Sequence, residues 1–143
     1  KDIHIWWDDQ NQNNSELMLV LGYMLQLNTA RKRSRLCLKA VASNEIERKE
    51  RLEQFHKIGV EKRLPIDVDV YVTADLDQDR ATLVYEFSKE ADMIFIGLKP
   101  LPRKLNEAES YAEYLQNLSQ TFEGLPLAFV LSSDVTPLDT ILE

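Results

Sequence analysis

The sequence predicts an α/β protein, a three-layer sandwich in which helices cover both faces of a mainly parallel five-stranded sheet. Short β-rich apolar runs alternate with helical patterns about five times along the chain. Each such unit has the length of a right-handed crossover between parallel strands. The 143 residues, 44% apolar and 29% charged, suit one globular domain with its own core. We therefore predict a single α/β domain over residues 1–143.

The first strand and the first helix stand out from the rest. Residues 3–7 form a β-rich run that ends in Trp6 and Trp7 and is followed by Asp8 and Asp9. A helix is expected from about residue 15 to 28, with residues 13–15 as capping residues. Its residues are almost all apolar, so at 100° per residue the apolar surface goes all the way round.

This apolar helix raises the possibility of an interface. A helix on the outside of a sheet needs only one apolar stripe, so the excess is covered either by neighbouring helices of the domain or by another domain or subunit. Methionine is adaptable and tyrosine amphipathic, which favours both at interfaces. The interface residues predicted on this basis are Met18, Tyr23 and Met24, with Tyr114 of a later helix as an additional candidate.

The middle of the chain reads as strand, helix, strand. A buried strand is expected at 36–42, followed by a helix that Asn44 caps and Glu47 supports from the capping-box position. Gly59 is a plausible end for this helix, although the pattern can run on to Arg63. Its inward side is predicted to carry Ile46, Leu52, Phe55 and Ile58. Residues 66–72 alternate strictly, which indicates a strand at a sheet edge.

The last third of the chain continues the alternation. Asp77 or Asp79 is expected to cap a third helix whose inward residues are Leu83, Val84 and Phe87. A continuous apolar run at 92–98 indicates a strand in the interior of the sheet. Asn106 and Glu109 predict a capping box for a fourth helix, with an inner face of Ala108, Tyr111, Ala112, Leu115, Leu118 and Phe122. Gly124 ends it before a fifth strand at 127–131, and a final helix is expected from Thr136.

Aspartates at the predicted strand ends could mark a phospho-acceptor site. Asp8, Asp9, Asp75 and Asp77 fall where a parallel α/β sheet places its sites. Such a site also needs a hydroxyl after the fourth strand and a lysine after the fifth, and the sequence offers neither there. We interpret Asp8 and Asp9 as polar residues of the turn between the first strand and the first helix.

Nucleotide binding, catalysis and metal binding have little support in the sequence. The loop at 8–15 has no glycine and carries two negative charges where phosphates would lie. Cys37 is expected to be a buried strand residue, and His4 and His56 have no recognisable partner. Two histidines and one cysteine are too few and too scattered along the sequence for a zinc site to be expected. No catalytic, cofactor-binding or metal-binding residue is predicted, and the net charge of −7 argues against nucleic acid as a partner.

Several segments follow one another along the chain in a distinctive order. "KDIHIWWDD" is followed by the apolar "LMLVLGYML", the basic "RKRSRLCLKAVA" and a charged helix, and later by "EADMIFIGLKPLPR" and "ESYAEYLQNLSQTFEGLPLAFVLSS". In this order the segments resemble those of the C-terminal cytoplasmic domain of cation–chloride cotransporters. The Trp-Trp strand is the most distinctive element, and the resemblance covers nearly the whole chain.

The resemblance implies more than the residues themselves do. Members of the family are membrane proteins that carry chloride together with sodium, potassium or both. Their cytoplasmic domain has two halves that resemble universal stress proteins, and it acts in dimerisation and regulation. This chain is similar to the second half, which implies a non-enzymatic cytoplasmic domain of an integral protein of the cell membrane. Its implied partners are a second copy, the membrane portion and the first cytoplasmic half of the same protein.

The alternative is a stand-alone module of the universal-stress-protein type that binds a nucleotide. The glycine-rich signature of the ATP-binding stress proteins is missing after "DMIFIGL".

Overall fold

Five strands and four helices alternate along the chain in the computed structural model, which describes residues 2–7, 12–28, 34–73 and 80–131. The strands are β1 (Asp2–Trp6), β2 (Arg35–Ala42), β3 (Ile66–Val72), β4 (Met93–Gly97) and β5 (Leu127–Val130). The helices are α1 (Gln12–Asn28), α2 (Glu45–Glu61), α3 (Arg80–Ser88) and α4 (Ala108–Thr121), with a 3-10 turn at Leu105–Glu107.

The strands form one sheet in the order β3-β2-β1-β4-β5, and every neighbouring pair is parallel. The predicted three-layer α/β sandwich with a parallel five-stranded sheet is confirmed. The alternating strand β3 lies at the edge and the apolar strand β4 in the interior, both as predicted. The order reverses between β1 and β4, which makes this the point where a doubly wound sheet commonly binds ligands.

Helices cover the two faces of the sheet with separate cores. Successive side chains of a strand point to opposite faces, so Ile3, Ile5 and Trp7 join the core under α1 and α2. Trp6 joins the core under α3 and α4. Each tryptophan therefore anchors a different layer, with Trp7 against Phe55 and Trp6 against Tyr71 at ring-centroid distances of 5.2 and 6.0 Å.

Helix α1 differs from the prediction at its start. It includes Gln12, so the expected capping residues at 13–15 lie inside the helix. Asn14 is fully buried, and its Nδ2 donates to the carbonyl oxygen of Leu98 at 2.8 Å. Its amide therefore ties α1 to the segment after β4. Further along, a Cβ on Gly22 would lie 2.7 Å from Cδ1 of Ile5, so this glycine lets α1 approach β1 closely.

Helix α2 has the predicted start, and it ends at Glu61, between the two predicted ends at Gly59 and Arg63. The amide of Glu47 donates to Oδ1 of Asn44 at 2.8 Å, which confirms the cap. Gly59 does not stop the helix. The amide of Leu64 instead donates to the carbonyl of Gly59 at 3.0 Å, and Arg63 has a φ of 53°, as in a Schellman ending. Ile46, expected on the inner side, is exposed.

The third and fourth helices also differ from the prediction. Phe87 is exposed and stacks on Tyr71 of the edge strand at a centroid distance of 3.8 Å. The capping box of Asn106 and Glu109 is absent, because a 3-10 turn precedes α4 and Glu107 occupies the N-cap without a side-chain bond. The α4 alanines expected on the inner face, Ala108 and Ala112, are exposed.

The predicted end of α4 is correct, since Gly124 follows it with a φ of 84°, where glycine is favoured. The predicted caps Asp77 and Asp79 and the helix from Thr136 lie outside the described residues. Among the residues that are described, no helix has both the length and the apolar character to cross a membrane.

Candidate functional site

Among the described residues we consider two surfaces that could bind a partner or a ligand, and the first is an apolar stripe on α1. Leu21, Met24 and Leu27 are 37%, 49% and 59% exposed, and we call these three residues the α1 stripe. They follow one another at intervals of three, so they lie along one side of the helix. Glu16 is the single charged residue of α1, which leaves the stripe without a charged neighbour on its own helix.

The four predicted interface residues have different positions. Met18 has no exposed surface and belongs to the core, so it has nothing to offer a partner. Tyr23 is half-buried against the same core, and Met24 is exposed. Tyr114 lies on α4, which packs on the opposite face of the sheet, so it does not join the α1 stripe.

The carboxyl ends of β1 and β4 form the expected ligand position of a doubly wound sheet. The backbone after β4 is already hydrogen-bonded there. The carbonyl of Leu98 accepts from Asn14, and the amide of Lys99 donates to the hydroxyl of Tyr114 at 3.2 Å. The hydroxyl of Tyr111 donates to the carbonyl of Lys99 at 2.8 Å. A phosphate-binding loop needs free backbone amides, and in this segment the Lys99 amide is occupied. Asp8, Asp9, Asp75 and Asp77 are outside the described residues.

The second surface is a polar cleft on the face of the sheet that carries α3. It measures about 550 Å³ and lies over β2, β3 and the start of β1. The described apolar core of this face centres on Trp6, Ile94 and Ile96 and extends to Val41 of β2 and Tyr71 of β3. The cleft lies over the parts of β2 and β3 that precede these two residues. We call this surface the cleft, and its lining is Asp2, His4, Arg35, Cys37, Lys39, Asp67, Val68, Asp69, Phe87, Glu90 and Ala91.

Lys39 is a buried cation on the floor of the cleft. Its Nζ donates to Oδ2 of Asp69 at 3.0 Å and to the hydroxyl of Tyr71 at 2.6 Å. Burial by itself would lower the pKa of Lys39, but the hydrogen bonds to Tyr71 and Asp69 outweigh burial and raise it. Lys39 is therefore charged and compensated within the sheet.

His4 is held in a hydrogen-bonded chain beside the cleft. Its Nδ1 is 2.7 Å from Oγ of Ser88, and the same Oγ accepts from Nε1 of Trp6 at 2.8 Å. Nε2 of His4 points the other way and is 3.6 Å from Oδ2 of Asp2. Burial, together with the charge of Lys39, lowers the pKa of His4 to about 4, so the imidazole is neutral at pH 7.

Cys37 and Asp2 complete this corner of the cleft. Cys37 is a buried free thiol, as predicted, and burial raises its pKa to about 11. Arg35 donates from Nε and Nη2 to the two carboxylate oxygens of Asp2 at 2.9 and 2.8 Å, and these bonds lower the pKa of Asp2. One ligand atom from each of Asp2, His4 and Cys37 lies within 4.8 Å of the others.

The prediction of no metal-binding residue stays a prediction, but His4 and Cys37 are not scattered in the fold. They are 33 positions apart in sequence, but the parallel pairing of β1 and β2 places them directly opposite each other. The available signal was the period of two. His4 and Trp6 share one face of β1, and Arg35, Cys37 and Lys39 share one face of β2.

Comparison with models of known protein families gives no match, and comparison with curated protein sequences gives none either. The likeness to the cation–chloride cotransporters therefore rests on its sequence segments alone.

Proposed function

We propose that this chain is a non-catalytic regulatory and dimerisation domain of a cation–chloride cotransporter, whose parent protein moves chloride with sodium, potassium or both. The likeness of the Trp-Trp strand, the apolar helix and the later segments supports the family. The observation that carries the dimerisation is the α1 stripe, because Leu21, Met24 and Leu27 remain exposed on a helix with one charged residue.

The partner that suits this stripe best is a second copy of the chain. A contact across a twofold axis uses the same patch twice, so the patch must be compatible with itself. An uncharged apolar stripe meets this condition, because pairing it buries apolar area and brings no like charges together. The membrane portion and the first cytoplasmic half of the parent protein are the other proposed partners.

The test is the oligomeric state of a longer chain that includes the preceding cytoplasmic half, measured by analytical ultracentrifugation. Met24→Asp places a charge in the stripe and is expected to weaken dimerisation at least tenfold, since a buried unpaired charge costs several kcal/mol. Leu105→Asp is the matched control, because Leu105 is 95% exposed in the turn before α4. A dimer of equal strength in both variants would contradict the proposal. Met18→Asp is unsuitable, because it would disrupt the core.

A nucleotide-binding module remains the alternative, and the reversal of strand order between β1 and β4 is the observation that favours it. The hydrogen bond from the Lys99 amide to the hydroxyl of Tyr114 weighs against it, since it occupies a backbone donor where a phosphate would bind. Calorimetry with ATP separates the two proposals. Saturable binding in the micromolar range would place the nucleotide-binding module first.

A further inference from the structure

We propose that Asp2, His4 and Cys37 form a binding site for a divalent cation of the zinc type at the β1–β2 side of the cleft. The proposal goes beyond the regulatory and dimerisation function and does not depend on it. Imidazole nitrogen, thiolate sulfur and carboxylate oxygen are the donors that zinc takes in proteins. The three ligand atoms already lie within 4.8 Å of one another.

The sheet supplies the placement of the three ligands. His4 and Cys37 are paired residues of adjacent strands, and Asp2 lies two residues before His4 on the same face of β1. Sites on paired strands are held more rigidly than sites on loops. The ligand atoms of a tetrahedral zinc ion, each 2.0–2.3 Å from the metal, are roughly 3.5 Å apart. Side-chain rotations that move the three ligand atoms by about 1 Å would therefore bring them to the distances that zinc requires.

Neighbouring residues orient two of the ligands. A histidine that binds a metal through one nitrogen commonly donates its other N–H to a hydrogen-bond acceptor. With its proton on Nδ1, His4 donates to Oγ of Ser88 and presents the Nε2 lone pair toward Asp2. Arg35 holds the carboxylate of Asp2 through two hydrogen bonds, which fix the orientation of its two oxygens.

Charge and access also favour a cation. The lining of the cleft has four carboxylates (Asp2, Asp67, Asp69 and Glu90) and two cations (Arg35 and Lys39), so the carboxylates outnumber the cations by two. The charge of Lys39 is compensated by Asp69. The space of the cleft gives the ion an entry path and a fourth position for water or for a ligand atom of another molecule.

The experiment titrates the chain, purified without a histidine tag in a reductant that contains no thiol, with Co²⁺ and then with Zn²⁺. Cobalt serves as the probe because a thiolate bound to it gives a charge-transfer absorption in the near ultraviolet. We expect one cobalt ion per chain, this absorption, and its loss when zinc displaces cobalt. Absence of saturable binding at millimolar cobalt, or binding without the thiolate absorption, would overturn the proposal.

Substitutions assign the ligands. Cys37→Ala is expected to remove the thiolate absorption and to weaken zinc binding by about 100-fold or more. Ser88→Ala, which acts through His4, is expected to weaken zinc binding by about 10- to 100-fold. His56→Gln is the control, since His56 is exposed on α2, and should bind as the unmodified chain does. Unchanged affinity in Cys37→Ala would show binding elsewhere and overturn the site.

A measurement on the unmodified chain keeps the proposal testable if a variant does not fold. Zinc should slow the reaction of Cys37 with a thiol reagent at least tenfold, because the metal-bound thiolate is blocked. The chain has one cysteine, so the reaction reports on this site alone. An equal rate with and without zinc would contradict the assignment of Cys37 as a ligand.

Discussion

The two faces of the sheet are completed in different ways. On one face α1 and α2 cover β1, β2 and β3 with an apolar core that includes Ile5, Leu38 and Phe55. On the other face the described apolar core centres on Trp6, Ile94 and Ile96 and extends to Val41 of β2 and Tyr71 of β3. The parts of β2 and β3 that precede these two residues line the cleft with its paired charges.

The difference shows how one strand can serve two environments. In β2, Leu36, Leu38 and Ala40 face the apolar core, and Cys37 and Lys39 face the cleft. A buried apolar side chain needs only close packing, but a buried polar group needs a partner for each hydrogen-bonding atom. We expect the free energy of unfolding to be sensitive to side-chain volume on the covered face. On the face with the cleft we expect it to be sensitive to the loss of a single hydrogen-bond partner.

The largest expected effect is on the face with the cleft. Ser88→Ala removes the common partner of Trp6 and His4, so two buried polar groups lose a hydrogen bond. We expect the free energy of unfolding to fall by about 2–3 kcal/mol in urea denaturation. Ser119→Ala, at an exposed position on α4, is the matched control and should change it by less than about 0.5 kcal/mol. Equal effects at the two serines would refute the importance of this hydrogen-bonded chain.

A smaller effect is expected from added volume on the covered face. Gly22→Ala places a Cβ 2.7 Å from Ile5 and 3.0 Å from Leu36, in the centre of the core. We expect a net loss of about 1–2 kcal/mol, because overpacking outweighs the better helix propensity of alanine. Gly59→Ala, whose Cβ would lie 3.2 Å from Ile66, is the comparison and should be near neutral. If both variants unfold at the same denaturant concentration, the core tolerates closer approach of α1 than the geometry indicates.

The smallest expected effect is the pH-dependent stabilisation that Glu47 provides at the start of α2. Hydrogen bonds from Ser43, and then from Arg51, lower the pKa of Glu47 from 4.5 to about 2. Because the folded pKa is below the unfolded one, this stabilisation is present above pH 4.5 and is lost as the pH falls toward 2. We expect Glu47→Gln to cost about 1 kcal/mol at pH 7, as a lost cap does, and less at pH 3. Thermal unfolding at both values measures the difference, and a constant gap would argue against the pKa shift.

Residues close together in sequence were the ones whose structure could be predicted. The cap of Asn44 on Glu47, the glycine after α4 and the edge position of β3 all follow from local patterns. The errors arose where a distant contact outweighed a local preference. Asn14 donates to Leu98 instead of capping α1, and Phe87 lies on Tyr71 instead of in the core.

The candidate sites show the same difference between what local sequence patterns predict and what distant contacts decide. The excess of apolar residues in α1 is visible in the sequence, but which of them are exposed depends on how the helix lies on the sheet. The same placement buries Met18 and exposes Met24 and Leu27. Sequence periodicity could not decide this, because nearly every position of the helix is apolar.

The sequence alone predicts the alternation of strands and helices, because side-chain periodicity and capping act over a few residues. It also predicts an apolar helix with more apolar surface than one sheet contact needs. The proximity of His4 and Cys37 follows from the fold instead, because it depends on which strands pair and in what register. The cleft lined by polar residues of β2 and β3 does so too, because the described helices of that face cover only part of these strands.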